Sequence, residues 1–439
     1  MRTQYTSLAA ALTRWLSPEV WKSAHQAAAK RRSSRWDLHA LLMVLLLMTW
    51  TTGETEAERF ATARAFYVAC HQHDKRPGKT VQGFRRALSK LPLPVVHSLL
   101  ASVRQCLYQA FHRYWRSNGF VIMACDGSRQ ECPRSAELEK ALRSSGKKHS
   151  APRLFITALV LLPAGLLWSW QVGPGTASEH DHLRQLLPTV PRGTLLVADA
   201  FYQGYELYQA ILQARASFLV RLSSRSHLYT EARTRLSQFR EGLVWYWPRQ
   251  ARCKGRPPLQ LRLIRVRGQK RKDVWLLTDV LDRERLGRQR AAEIYRWRWH
   301  IEGVFRTYKK TLPKIKLRSR TLALVYREAE VSLLALQIML AQAAIKQRQS
   351  GDAVICMGSP RRELLQIRVA IIITIGSRLG PRQRRWYQRH SAQVQAGGGP
   401  KKVRRKWPRR KDHKPPKPPL IRVLPKKLKL MMAKIIHAA

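Results

Sequence analysis

Eighty-two Lys and Arg side chains stand against 27 Asp and Glu, a formal net charge of +55 on 439 residues. No other feature limits the fold as strongly. Self-repulsion of that size opposes a compact state unless an anionic partner absorbs it. A sequence pI near 11.4 points to nucleic acid as that partner. The excess is not confined to one end. Residues 381–439 hold 19 Lys and Arg and one Asp, a net +18, so the other 380 residues still carry +37. The folded part itself is therefore expected to present a positive surface. Hydrophobic residues make up 45% of the chain, enough for real cores in two to four units at roughly 100–200 residues each.

The same composition excludes other classes. The six cysteines, Cys70, Cys106, Cys125, Cys132, Cys253 and Cys356, form no Cys-x-x-Cys pair. A disulfide scaffold or zinc ribbon is not expected, and a reducing compartment is. Met1–Ser17 lacks the apolar run of a secretory signal, and the apolar stretches Ala40–Met48 and Val369–Ile375 are too short to span a bilayer. Both read as core, and no membrane partner is expected.

The pattern along the chain changes near Gly119. Before it, Leu41, Leu42, Leu45 and Leu46 recur at helical spacing, with weaker repeats over Ala57–Cys70 and Val81–Leu91. A cationic cluster, Lys30, Arg31, Arg32 and Arg35, precedes the apolar helix. After it, Phe120–Cys125 is a strand, Leu154–Leu162 and Leu166–Val172 form a hairpin across Pro163–Gly165, and Leu195–Ala198 and Ser217–Leu222 are further strands around a helix at Gly204–Leu212. This order implies an α/β fold with a mixed sheet and helices on it. A basic, strand-like block follows, with strands at Leu243–Trp247, Leu259–Val266 and Val274–Leu277. Helices are expected at Arg285–Lys310 and Leu322–Ile345, and another at Arg362–Ile375. From Gly397 onward the Pro- and Lys-rich chain reads as disordered.

Asp126 follows one apolar strand and Asp199 another, and strand ends are where side chains converge on a cleft. A lone Asp there is usually a turn former. A third acid, Glu302, lies in the later helix. At about 100° per residue, Tyr295, Arg298, Glu302, Arg306 and Lys309 share one arc, and Ile294, Trp297, Ile301, Val304, Phe305 and Tyr308 share an adjacent packing arc. Taken alone, the polar arc is equally an ion-pair ladder on a solvated face.

The spacing Tyr295, two residues, Arg298, three residues, Glu302, six residues, Lys309 resembles the signature of the insertion-sequence-four family of bacterial DDE transposases. Ala124-Cys125-Asp126-Gly127-Ser128 and Val197-Ala198-Asp199-Ala200-Phe201 resemble the family's two Asp motifs, and Leu317-Arg318-Ser319-Arg320-Thr321 before an apolar helix is also similar. The resemblance implies an RNase H-like catalytic domain with a mixed β-sheet flanked by helices, a β-strand insertion before the last acid, and an all-α N-terminal domain. On that basis the organisation is 1–115, a helical DNA-end-binding domain; 116–222, the first part of the catalytic core; 223–282, the insertion; 283–350, the rest of the core with the Glu helix; and 351–439, a C-terminal helix and basic tail. It implies a bacterial cytoplasmic, nucleoid-associated enzyme that binds terminal inverted repeats as a homodimer on paired ends and cleaves and joins double-stranded DNA, through hairpin ends. A metal-dependent nuclease of the same fold and a catalytically dead relic stay open as alternatives.

Asp126, Asp199 and Glu302 are then the catalytic and metal-binding residues. Cutting a phosphodiester needs an activated water and a stabilised leaving oxygen, which two divalent ions about 4 Å apart supply. Three carboxylates without a His/Cys cluster suit Mg2+ or Mn2+, two ions per site, better than zinc. Arg298 and Lys309 are expected to hold phosphate, Tyr295 to hydrogen-bond it, and Arg306 to contribute more weakly. Trp275 resembles the insertion tryptophan that receives a flipped base, with core packing as the plainer role and Trp245 and Trp247 as alternatives. Cys125 and Cys132 read as packing thiols, and Cys70-His71-Gln72-His73 lacks a fourth ligand. His300 points away from the polar arc. Glu179 and Asp181 read as helix-cap residues outside the site.

Overall fold

The computed structural model describes residues 8–27, 35–71, 76–143, 150–231, 235–236, 238–267, 273–349, 355–377 and 418–437. The cluster at 30–32, residues 72 and 73, and the basic stretch at 401–406 lie outside them. Six helices come first: α1 Leu8–Trp15, α2 Pro18–Gln26, α3 Leu38–Trp50, α4 Glu56–Cys70, α5 Val81–Ser89 and α6 Leu93–Phe111. Side-chain caps start three of them. Asp37, Thr55 and Thr80 accept from the backbone N–H three residues on, at 2.6, 3.2 and 3.2 Å. Helix α3 is apolar all round and buried, as a helix of that composition must be. His71 stacks on Tyr67 and meets His39 edge-on.

The sheet begins with β1 Arg116–Ser117 and β2 Phe120–Glu131. Helix α7 Ala136–Leu142, β3 Arg153–Leu161, β4 Leu166–Pro174, α8 Glu179–Leu186, β5 Thr194–Ala198, α9 Tyr205–Gln213 and β6 Ser217–Arg221 follow. The spatial order is β6-β5-β2-β3-β4. β2, β3 and β4 are antiparallel neighbours, whereas β5 runs parallel to both β2 and β6. Three antiparallel strands continued by two parallel ones, with helices on the faces, is an RNase H-like core.

The insertion prolongs this sheet instead of leaving it. β7 His227–Thr230, β8 Glu241–Tyr246, helix α10 Arg249–Cys253, β9 Leu259–Val266 and β10 Val274–Thr278 form an antiparallel run, and β10 pairs with β6. The chain then makes α11 Arg288–Trp297, α12 Trp299–Arg306, a π-helical turn at Thr307–Thr311, α13 Leu322–Gln349 and α14 Pro360–Gly376.

Helix α13 is the spine of the molecule. It packs on β4, α3, α5 and α6, so the N-terminal helices and the sheet share one apolar core. By length and composition α13 could cross a bilayer, which Ala40–Met48 could not, but 89% of its most apolar window is buried inside the protein. Its polar residues are spent internally: Trp170 Nε1 donates to Glu330 at 2.5 Å and Arg327 Nε to the Leu91 carbonyl at 2.7 Å.

The C-terminus departs from the expectation of disorder. β11 Leu420–Val423 adds parallel to β7 at the sheet edge, and α15 Lys426–His437 follows. Leu428, Met431, Met432 and Ile435 of α15 pack on Trp247 and Ala251 of the insertion. Four apolar residues at i, i+3, i+4 and i+7 explain why a lysine-rich segment still folds here.

Candidate active site

The parallel pairing of β2 with β5 runs from Val121 opposite Thr194 to Ala124 opposite Val197. Carried two residues further, the same register sets Asp126 beside Asp199, on strands about 4.8 Å apart. Sequence placed each acid just after its strand. Asp199 is there, because β5 ends at Ala198. Asp126 instead lies inside β2, which stays paired with β3 through Glu131, Asp126 itself opposite Ala158. The cleft exists because β5 stops while β3 goes on.

Each acid is held by backbone. Asp126 Oδ1 accepts from the Gly127 N–H at 2.8 Å, and Asp199 Oδ1 from the Phe201 N–H at 2.8 Å. Burial pushes the Asp126 carboxyl up to about 6; the Gly127 amide and Arg298 oppose the shift, and the charges of Asp199 and Glu302 add to it. The cleft around Asp126 and Asp199 is walled by Arg129, Ser178, Glu179, His180 and Phe201. Gly127 is required there: a Cβ would come within 2.5 Å of the Phe155 ring and 2.7 Å of Glu179 Oε1.

The expected single helix over Arg285–Lys310 is broken at Arg298, which caps α11 and precedes α12, and it ends in the π turn. The packing arc is as the spacing implies: Ile294, Ile301, Val304, Phe305 and Tyr308 are buried, and Trp297 is half-buried. The polar arc is not uniform. Arg298 is only 7% exposed. Its guanidinium lies 3.7 Å from Glu302 and near the rings of Tyr295 and Trp299, at 5.7 and 5.0 Å. Tyr295 is half-buried; burial raises its hydroxyl, and Arg298, Arg221 and Asp199 all act on it. Arg306 is exposed. Lys309 falls in the π turn, which shifts it off the ideal helical wheel. Burial depresses its ammonium, and the neighbouring charges that depress it further belong to Arg153 and Lys310.

The structure thus brings together Asp126, Asp199, Glu302, Arg298 and Tyr295. Arg306 stays on the helix surface beside them, and Lys309 faces other cations. Trp275 is elsewhere, buried in the insertion against Phe239 with the Arg265 guanidinium over its ring at 5.4 Å. Trp247 is buried as well, donating to the Arg256 carbonyl at 2.7 Å, while Trp245 is half-buried on the wall of a cavity beside Phe239 and Leu243. His300 bonds the Pro163 carbonyl at 3.0 Å, away from the acids.

Two acids matter that spacing did not bring forward. Glu328 of α13 accepts from Lys314 Nζ and from the Arg318 and Ser319 amides at 2.9, 3.0 and 2.9 Å, anchoring the segment at 317–321. Burial opposes its ionisation, but these partners hold the carboxyl down to about 2. Glu179 reaches the cleft from the first turn of α8, where Ser178 caps the helix by accepting from the Asp181 N–H. The expected cap residues, Glu179 and Asp181, lie instead in the first turn behind Ser178, and the cleft contact of Glu179 was not legible.

Comparison with known proteins locates this site within a family. The family model described as a transposase DDE domain matches residues 119–338, just over half of the chain. In three dimensions the protein is similar to a piggyBac transposase solved as a synaptic complex with hairpin DNA, at a TM-score of 0.45 and 9% identity, covering 90% of this chain and 86% of that one. No curated protein sequence matches the chain. The matched stretch opens just before β2, contains both aspartates, the insertion and the Glu302 helix, and closes within α13; the chain belongs to the transposase DDE domain family.

Proposed function

We propose that this transposase is of the insertion-sequence-four type. It binds the terminal inverted repeats of its own element as a homodimer on paired ends, hydrolyses the strands there and joins the resulting 3′-OH groups to target DNA. The observation that carries the reading is the in-register pair Asp126 and Asp199, with Arg298 and Glu302 near enough for their charges to act on Asp126.

The donor chemistry fits divalent cations. Burial and the charges of Asp199 and Glu302 push Asp126 up, and the cleft around Asp126 and Asp199 is lined by carboxylates, with His180 engaged through Nε2 with the Phe201 carbonyl at 2.9 Å. Among the described residues no three such side chains stand close enough to grip an ion together, and Glu302 is paired with Arg298. Asp126, Asp199 and Glu302 would hold Mg2+ or Mn2+, two ions per site. Bound there, the ions supply a low-pKa water and neutralise the leaving oxygen.

The chain's own side chains do the rest. Arg298 is a fixed guanidinium beside the acids, suited to a bidentate grip on the scissile phosphate. Tyr295 can hydrogen-bond the same phosphate. Arg306 and Lys309 extend the cationic track along the helix, and the global charge supplies sequence-independent affinity. Second-strand cleavage through a hairpin would need an aromatic platform from the insertion, Trp275 or, on another strand, Trp245.

The test uses purified protein and a DNA end of its element, labelled on either strand, with Mg2+ or EDTA. Expected are Mg2+-dependent 3′-OH ends at the element boundary, absent in Glu302→Ala, and strand-transfer products from pre-cut ends. Cleavage without strand transfer identifies a nuclease, and binding without cleavage by a paired-end complex identifies a relic.

A further inference from the structure

Glu179 shares the cleft wall with Asp126 and Asp199, and its nearest charges are theirs and that of Arg129. It has no ion pair within 4 Å among the described residues. Asp181, two positions on, is exposed and pairs with Arg184 at 2.7 Å. Glu179 Oε1 also sits where any side chain at position 127 would have to go, so the backbone beside Asp126 is shaped around it.

A second observation points into the same space. Tyr202, on the turn after Asp199, is 1% exposed, and its hydroxyl makes no well-formed hydrogen bond. That hydroxyl stands near the Glu179 carboxylate and the Cys125 thiol, close enough to Asp126 to feel its charge. A buried hydroxyl held only by loose contacts of this kind, with no well-formed hydrogen bond, is uncommon. The Cys125 thiol is kept protonated by complete burial and is no ligand.

We infer that Glu179 is a fourth carboxylate of the cation site, joining Asp126, Asp199 and Glu302, and that Tyr202 is its positioning residue. The inference rests on the proposed cation reading of the cleft. Glu179 enters the site from the first turn of α8, a different element from the helix that carries Glu302. When it turns toward a bound cation, its second oxygen accepts from the Tyr202 hydroxyl, which fixes the carboxylate as outer-shell partners fix ligands.

The test is a Mn2+ titration of the full chain, read by electron paramagnetic resonance of free Mn2+, with thermal unfolding in EDTA and in Mn2+. Glu179→Gln is expected to weaken Mn2+ binding roughly 10-fold or more. It should shrink the Mn2+-induced rise in Tm, yet leave Tm in EDTA unchanged or higher, because one charge has left a repulsive cluster. Glu179→Asp keeps the charge and should recover part of the affinity. Tyr202→Phe should weaken binding in the same direction by less, and Asp181→Asn not at all. Wild-type affinity in Glu179→Gln overturns the assignment of Glu179 while leaving the cation site standing. A lower Tm in EDTA with unchanged affinity does the same and marks Glu179 as structural. Failure of the wild-type chain to bind Mn2+ removes the cation site itself and this inference with it.

Discussion

Strands β2, β5 and β6 and strands β8, β9 and β10 belong to one sheet, yet they are stabilised differently. Thr194–Ala198 is buried at every position, and Phe120–Cys125 likewise, as expected for strands covered on both faces. The first charges, Asp126 and Asp199, come just beyond the end of the β2–β5 pairing. In the insertion charge is built into the strands. Arg262 in the middle of β9 is 1% exposed, 3.6 Å from Glu241 and bonded to the Leu286 carbonyl, and Arg265 holds Asp273 at 2.7 Å. The lesson is a division of labour. The core half fixes acids at an edge with apolar packing, and the insertion half presents cations on a scaffold that itself depends on them.

That contrast breaks most sharply at the acids. Asp126→Ala, Asp199→Ala and Glu302→Ala should each cut strand cleavage by on the order of 10³-fold or more, while end binding in gel shifts stays intact. Equal loss of binding and cleavage would mean that the core half carries DNA affinity too, and the division would fail.

The insertion should break in the opposite way. Arg262→Ala leaves Glu241 inside the sheet with only Arg283, itself 71% exposed, to neutralise it. Breaking a buried pair costs about 3–5 kcal/mol, so denaturant unfolding should show a loss of that size, with Arg262→Met/Glu241→Gln recovering part of it. Trp275→Ala should cost a similar amount, about 3–5 kcal/mol, because the ring is core. Trp245→Ala should leave stability nearly unchanged. If only Trp245→Ala then removes hairpin intermediates, the half-buried ring is the base platform. If Trp275→Phe removes them at full stability, the buried ring is.

Much of this was readable before any coordinates. The apolar runs located β2, β3, β4, β5 and β9 within a residue or so at most ends, and the packing arc of the Glu302 helix is the one observed. The register of Asp126 against Asp199 was not, because it depends on parallel pairing between strands far apart in sequence. Nor was the break at Arg298 or the π turn, since a wheel of fixed angle cannot express either. β7 and β11 escaped for another reason: both are four-residue strands with polar residues, and they are strands because β11 at the sheet edge pairs with β7 and β7 pairs with β8. Overall charge dominated the reading of the tail and hid the apolar stripe of α15.

A smaller effect sharpens the account of the core acids. The Asp126 carboxyl lies near 6 in the folded protein, above its ordinary 3.8. The native state therefore holds a proton that the unfolded chain gives up, so stability falls as pH rises from about 4 to 6 and stays lower above it. Asp126→Asn should raise stability at pH 7 in EDTA by up to about 2–3 kcal/mol, and the gain should vanish below pH 4. With Mg2+ present the order should reverse, since the wild-type carboxylate then has a cation to face. A variant less stable than wild type in EDTA would show that Asp126 is fixed by its Gly127 hydrogen bond more than it is penalised by its neighbours.

The smallest expected change separates phosphate contact from chemistry. Arg306 is exposed one turn beyond Glu302, with no carboxylate partner in ion-pair range among the described residues. If its role is to neutralise one backbone phosphate, Arg306→Gln should weaken binding equally for element-end and unrelated duplexes. The slope of log affinity against log salt should flatten by about 1. Cleavage per bound complex should stay at the wild-type rate. Arg298→Gln is the counterpart: its guanidinium is buried between two rings and the acids, so it should lower the cleavage rate of the bound complex far more than the salt slope. The same slope change for both variants would place Arg298 among the general phosphate contacts and leave Tyr295 as the residue that orients the scissile group.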